Sequence, residues 1–208
     1  MVHQSLTTRP AVPSLTVPPE THPTPDVLDV FGSRDNVVRA HFQRVLNLSA
    51  PAMIAVFTLY AIITKIALML ILEALPFYSI AADATAKAID VRYMIVSYGF
   101  WLTFVAVFIA IPLLETLVYQ WFPIWLAMKV THSPVIAICF STILFGTNHL
   151  YAGAFGVVTS ISVGFFLSVA FLYARQVSHK RAYGITAAIH TAVNGIALTV
   201  GLILIGLK

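Results

Sequence analysis

Four side chains that could carry out chemistry lie within strongly apolar stretches of this sequence. They are Glu115 in LLETLVYQ, His149 in FGTNH, and His190 and Asn194 in HTAVN. An ionisable group at the centre of a membrane helix costs about 2.5–3.5 kcal/mol on insertion scales, and such groups usually face a bundle interior or a wet cavity. A packing role would explain any one of them, but a glutamate and two histidines on three different spans indicate a shared site.

The residue types suit hydrolysis. A carboxylate beside neutral imidazoles can hold a water molecule or a metal ion, and a glutamate in a low-dielectric surrounding can act as a general base. The sequence has no HExxH pattern, which excludes the soluble zinc-protease arrangement, and no serine in a nucleophile elbow. A transporter with a polar midplane site is a third reading, but the sequence has no inverted repeat to support it.

The composition is that of an integral membrane protein. Hydrophobic residues make up 59% of the 208 positions and charged residues only 10%, against about 25% charged residues in soluble domains. The formal charge of +4 comes from basic residues in the tail and short loops, as the positive-inside rule expects. We therefore expect membrane lipids as partners and no nucleic acid. Cys139 is the single cysteine, so an intrachain disulfide is excluded.

Three regions follow one another along the chain. Residues 1–33 are rich in proline and predict a disordered tail. Residues 34–93 comprise a basic amphipathic segment at 34–48, a first spanning helix at 50–72 and a polar loop at 73–93. The segment at 34–48 suits either a helix lying on an anionic membrane surface or a juxtamembrane linker. Residues 94–208 form a transmembrane core, with an apolar tract at 94–128 and further spans at 134–152, 153–174 and 183–206.

The fold class is therefore all-α, a polytopic transmembrane bundle of five or six spans. Five spans result if 94–120 is one kinked helix, and this places most basic residues on one side. Six result if Pro112 separates two helices. With five spans, Glu115 and His149 would lie roughly 15 Å apart in depth at about 1.5 Å per residue. Because a shared site needs one level, six spans are favoured.

In order, PLLETLVYQ (112–120), FGTNH (145–149) and HTAVN (190–194) resemble the three signature motifs of the CPBP intramembrane proteases. That family joins the type II CAAX prenyl endopeptidases with bacteriocin-processing and self-immunity proteins. The resemblance covers about 95–205. It implies that Glu115 is the general base, that His149 helps to hold the catalytic water or a metal, and that His190 and Asn194 stabilise the oxyanion or complete the metal site. Phe145 matches a structural aromatic.

Two positions depart from the family pattern EExxxR. Thr116 stands where the family has its second glutamate, and Gln120 where it has arginine. Removing one member of a buried ion pair costs about 3–5 kcal/mol, whereas these two neutral side chains, four residues apart, could hydrogen-bond to each other. We interpret the change as concerted replacement of a supporting pair, with the base retained.

The resemblance implies an intramembrane metallo- or glutamate endopeptidase that hydrolyses a peptide bond with a Glu-activated water. Its substrate would be a peptide or a membrane protein. Zinc held by His149, His190 and Glu115 is one form of the site, and a metal-independent site is the other. The expected location is a prokaryotic plasma membrane. The alternative is a catalytically weak or inactive member that acts as a membrane immunity or scaffold protein.

Overall fold

The computed structural model describes residues 37–75 and 91–206, and within them the chain is helical. There are seven helices in this part of the chain: α1 (Val37–Leu46), α2 (Ala50–Glu73), α3 (Val91–Tyr98), α4 (Phe100–Thr131), α5 (Pro134–Thr147), α6 (Gly153–Arg175) and α7 (His179–Gly206). Helix α4 contains two π-helical segments, Ala106–Ala110 and Thr116–Trp121, and a 3₁₀ turn, Leu150–Ala152, precedes α6.

Four of these helices are long and apolar enough to cross a membrane, namely α2, α4, α6 and α7, and α5 is a shorter apolar helix. The all-α membrane class is thus confirmed. The first span, predicted at 50–72, is Ala50–Glu73, and the later spans match α5, α6 and α7 with shifted ends. The predicted tail at 1–33 lies outside the described residues, as does most of the polar loop at 73–93.

The predicted break at Pro112 was wrong, because α4 continues through both of its internal prolines. A proline ring in a helix clashes with the carbonyl four residues earlier and lacks an N–H for it. Here each proline follows a π segment: Ala106–Ala110 precedes Pro112, and Thr116–Trp121 precedes Pro123. Each π segment widens the turn at the carbonyl that the proline would meet, so the helix absorbs the ring without breaking.

A side chain on α5 supplies the hydrogen bond that Pro123 cannot make. The carbonyl four residues before Pro123 belongs to Tyr119, and Ser141 Oγ donates to it at 2.6 Å. Ser141 Oγ also lies 2.7 Å from Ser168 Oγ on α6, which donates to the Gly164 carbonyl. In a membrane, freed backbone groups must find such partners within the protein. The second π segment is therefore tied to α5 by a hydrogen bond, and the Ser141 hydroxyl packs against Ser168 on α6.

Glu115 and His149 reach one depth without a split at Pro112 because the second half of α4 is longer than expected. Sixteen residues separate Glu115 from Thr131, and fourteen separate Pro134 from Asn148. At about 1.5 Å per residue both positions lie roughly 21–24 Å from the α4–α5 turn. Glu115 and the end of α5 thus meet at one level in two unbroken antiparallel helices, with no need for a split at Pro112.

Helix α6 is the centre of the bundle and packs against α2, α5 and α7. Its small residues allow close approach, which is how membrane helices usually associate. A Cβ on Gly164 would lie 2.9 Å from Cδ1 of Phe145, so the Phe145 ring packs directly on the α6 backbone. Helix α1 packs on α2. Phe42 contacts Phe57 and Tyr60 of α2, and Val45 and Leu46 are buried. The basic segment is thus helical and packed on α2.

Candidate functional site

A cavity of about 800 Å³ lies between α2, α4, α5, α6 and α7. Its wall is mostly apolar, with a few polar side chains that converge, which is the usual composition of a ligand site. The polar and aromatic groups that line it are Lys65, Glu115, Tyr119, Phe145, Asn148, His149, Tyr151, Ser160, His190 and Asn194. The cavity therefore brings together the four candidate residues of the three sequence motifs.

Glu115 reaches the cavity from the centre of α4, between the two π segments. One carboxylate oxygen, Oε1, accepts a hydrogen bond from Asn148 Nδ2 at 2.9 Å. The other, Oε2, lies 3.3 Å from His190 Nε2. Each carboxylate oxygen thus has one partner and keeps a lone pair for another donor, such as a water molecule.

His149 follows the end of α5, where the helical path stops at Thr147. Its Nδ1 lies 2.9 Å from the Phe145 carbonyl oxygen. A carbonyl can only accept, so Nδ1 carries the hydrogen and Nε2 of the neutral ring is an acceptor. The ring is half-buried and lines the cavity. It therefore offers a fixed lone pair to a donor inside the cavity.

His190 lies in the middle of α7 and is only 2% exposed. A carboxylate accepts and does not donate, so Nε2 carries the hydrogen that faces Glu115. Nδ1 is then the acceptor, and it has no hydrogen-bond partner among the described residues. The Phe145 ring meets both histidine rings, at 5.3 Å from His190 and 5.0 Å from His149 between centroids. Phe145 thus acts as the packing aromatic between them.

Asn194 is half-buried on α7, one turn after His190, and lines the same cavity. Its side-chain amide makes no hydrogen bond within the described part of the chain. An amide NH₂ group in this position is a donor without a competing partner. It is the member of the site best able to donate to a negatively charged oxygen that forms in the cavity.

The expected hydrogen bond between Thr116 and Gln120 is not formed. Both side chains are fully buried, at 0% exposure. Thr116 Oγ1, Gln120 Nε2 and Gln120 Oε1 all lack a hydrogen-bond partner among the described residues. The π segment that begins at Thr116 changes the angle between positions four apart, since its turn holds more residues than an α turn. These two residues face the protein interior and do not line the cavity.

Asn148, Tyr119 and Lys65 line the cavity but were not among the predicted site residues. On one continuous helix, the neighbours Asn148 and His149 would point in different directions. Because α5 ends at Thr147, both side chains face the cavity instead. Tyr119 lies on α4, and its hydroxyl donates to Asn148 Oδ1 at 2.8 Å. Lys65 comes from α2, which among the helices that line the cavity is the most distant in sequence from the three motifs. Gly153, which adopts a positive φ of 69°, ends the 3₁₀ turn Leu150–Ala152 that follows α5.

The described residues do not present a preformed three-ligand metal site. No three histidine, cysteine, aspartate or glutamate side chains converge on a common point among residues 37–75 and 91–206. His190 Nε2 lies 3.3 Å from Glu115 Oε2. The described residues thus show no three-ligand zinc site built from His149, His190 and Glu115.

Comparisons with known proteins identify the family. Residues 97–196 match the family described as type II CAAX prenyl endopeptidase Rce1-like. The match begins near the end of α3 and ends just after Asn194, so it contains all four candidate residues. No curated protein and no solved structure matches the chain. The resemblance seen in the three motifs is thereby confirmed: the chain is an integral membrane protein that carries, at residues 97–196, an Rce1-like domain, and this domain supports membership of the CPBP family of intramembrane proteases.

Proposed function

We propose that this protein is an intramembrane endopeptidase that hydrolyses a peptide bond with a water activated by Glu115. The observation that carries the proposal is the convergence of Glu115, His149, His190 and Asn194 on one cavity inside a helical bundle of membrane-crossing length. The substrate is a peptide or a membrane protein with a segment that enters this cavity.

In the first step a water lies between Glu115 and His149. It donates one hydrogen to a Glu115 oxygen and the other to His149 Nε2, the acceptor left by the bond from Nδ1 to Phe145. The water oxygen then bonds to the scissile carbonyl carbon while Glu115 takes the proton. The carbonyl oxygen becomes an oxyanion, and Asn194 donates to it. Stabilisation of this charge usually contributes most to acyl-transfer catalysis.

His190 joins the oxyanion stabilisation only when Glu115 is protonated. In the resting site its Nε2 hydrogen faces Glu115 Oε2 at 3.3 Å. Neutralising the carboxylate weakens that attraction, so the N–H becomes available to the oxyanion. In the second step the intermediate collapses, the C–N bond breaks, and Glu115 returns its proton to the leaving amine nitrogen. The carboxylate is thereby regenerated.

The test compares wild type with Glu115→Gln, which keeps the shape of the side chain and removes its basicity. Membrane-protein fragments from cells that express each form are compared by mass spectrometry. We expect fragments present with wild type to disappear with Glu115→Gln and to persist with Glu73→Gln, which changes an exposed glutamate at the end of α2. Wild-type cleavage by purified Glu115→Gln would exclude this mechanism.

A second candidate is a non-catalytic immunity or scaffold protein on the same fold. Thr116 and Gln120 favour it, since both are buried where the family pattern has a charged pair and their polar side-chain atoms have no hydrogen-bond partner among residues 37–75 and 91–206. This candidate predicts that cellular function survives His149→Ala and His190→Ala, provided that the variants accumulate normally. The endopeptidase predicts loss of function in both.

We infer a five-crossing path with α1 on the cytoplasmic face of a prokaryotic plasma membrane. Tyr173 near the end of α6 donates to Asn47 after α1 at 3.4 Å, so these ends share a side. The basic residues that collect there are Arg39, Arg44, Lys129, Arg175, Lys180 and Arg181, in accord with the positive-inside rule. In a Cys139→Ser background, Gln43→Cys and Ser178→Cys should be labelled from the same side, and Glu73→Cys from the other.

A further inference from the structure

The Glu115 carboxylate is held by a chain of hydrogen bonds that begins on its own helix and passes through α5. Tyr119 Oη donates to Asn148 Oδ1 at 2.8 Å, and Asn148 Nδ2 donates to Glu115 Oε1 at 2.9 Å. The Tyr119 backbone is itself tied by Ser141 at 2.6 Å. All three side chains of this chain, Tyr119, Asn148 and Glu115, line the cavity.

The pair expected to support Glu115 from its own helix does not do so. Thr116 and Gln120 occupy the positions of the charged pair in the family pattern, yet their polar atoms have no hydrogen-bond partners in the described residues. They do not contact the cavity either, since neither lines it. The direct contacts to the Glu115 carboxylate come from other helices, through Asn148 and His190.

The direction of the chain depends on the Tyr119 hydroxyl. An asparagine amide has a donor end and an acceptor end that can exchange by a flip. Because the Tyr119 hydroxyl donates to Oδ1, the NH₂ group must face Glu115. Without the hydroxyl the amide could turn its oxygen toward the carboxylate, and two acceptors would then face each other. The ionised carboxylate requires the NH₂ group of Asn148 to face it, and the Tyr119 hydroxyl stabilises this orientation by donating to Oδ1.

We propose that Asn148, oriented by Tyr119, is the positioning residue for the general base, and that this pair takes over the support that Thr116 and Gln120 no longer give. The inference rests on the proposed function, because it assigns a role within the same site. Neither residue bonds to the substrate. Asn148 fixes Oε1, so the carboxylate keeps one orientation toward the water, and the removal of this bond slows the chemical step without weakening substrate binding.

The experiment is a double-mutant cycle of Asn148→Leu and Tyr119→Phe, with kcat and KM measured on a substrate found in the fragment comparison. Asn148→Leu should lower kcat roughly tenfold to a hundredfold, the range for loss of a hydrogen bond to a charged group, and leave KM within about twofold. Tyr119→Phe should lower kcat by a smaller factor, because the amide remains but is no longer oriented. In the Asn148→Leu background, Tyr119→Phe should have no further effect.

Tyr173→Phe is the matched control, since it removes a hydroxyl at the opposite end of the bundle, and it should leave kcat unchanged. Asn148→Asp keeps the volume and places a second carboxyl group against Glu115, and two carboxyl groups at this distance share a proton. Glu115 is then no longer a free base, so this variant should be at least as slow as Asn148→Leu, and it guards against a folding defect in the latter. The proposal would be overturned if Tyr119→Phe lowered kcat by the same factor in wild type and in the Asn148→Leu background. It would also be overturned if Asn148→Leu raised KM at constant kcat. If Glu115→Gln is inactive while both Asn148 variants match wild type, the positioning role alone has failed. If Glu115→Gln is itself fully active, the proposed function has failed.

Discussion

Alanine in place of Gly164 tests whether direct packing of α5 on α6 determines the shape of the site. The added Cβ would lie 2.9 Å from Cδ1 and 3.1 Å from Cβ of Phe145. To restore ordinary contact near 3.4 Å the ring edge must move by about 0.5 Å. Phe145 is 2% exposed and meets both histidine rings, so the displacement is passed on to His149 and His190. Overpacking of this kind costs about 1–3 kcal/mol.

Gly184 on α7 provides the matched control, because a Cβ there would meet no atom of the described residues within 4 Å. Both substitutions gain about 1 kcal/mol of helix propensity, so their difference isolates the clash. Thermal unfolding in detergent should show Gly164→Ala less stable than Gly184→Ala by about 1–3 kcal/mol, and its cleavage rate should fall. Adding Phe145→Leu should cost less in Gly164→Ala than in wild type, with a coupling of about 0.5–3 kcal/mol. Equal stabilities of the two alanine variants, or additive effects with Phe145→Leu, would refute the reasoning.

Three further predictions follow from the same contacts. Chelators should leave the cleavage rate unchanged. Elemental analysis of purified wild type and of His149→Ala should show equal, substoichiometric zinc. A loss of activity on chelation that added zinc restores would contradict this prediction. Ser141→Ala should destabilise the protein by about 1–3 kcal/mol in thermal unfolding. The Ser141 hydroxyl donates to the Tyr119 carbonyl in place of the N–H that Pro123 lacks, and the substitution removes this donor. Ser133→Ala is the control, because it removes only a weak 3.4 Å helix-cap bond. Gln120→Met should raise stability by about 1 kcal/mol, since it replaces a buried amide that lacks partners in the described residues; a loss of stability would mean that the amide has a partner after all.

The helices and the four motif residues could be predicted because apolar runs and intramembrane polar residues are strong signals. Ala50–Glu73 was predicted within one residue at its C-terminal end, and Glu115, His149, His190 and Asn194 do share a cavity. The path of α4 could not be predicted in the same way. A proline predicts a helix break unless a wider turn, such as a π segment, precedes it. No residue pattern in 106–110 or 116–121 predicts a π segment.

The polar partners of Glu115 were the other part that sequence reasoning could not reach. Asn148 faces the cavity only because α5 stops one residue earlier, and helix ends are poorly determined by sequence. The pairing of Thr116 with Gln120 was inferred from α-helical spacing, which the π segment does not have. Lys65 reaches the cavity from a helix outside the family match at 97–196. Each of these depends on tertiary geometry and not on local pattern.

The short length of α5 has a consequence for the supply of a reactant. Hydrolysis consumes one water molecule for each bond cleaved, and the hydrocarbon of a membrane excludes water. With 14 residues, α5 extends only about 21 Å, less than the roughly 30 Å of a bilayer core. The chain beyond it, from Asn148 to Ala152, is not α-helical, and Asn148, His149 and Tyr151 line the cavity. Non-helical backbone at such depth is stable only inside protein or beside water. We infer that bulk water for the proposed hydrolysis enters past these three polar residues, where the last turns of α5 are missing.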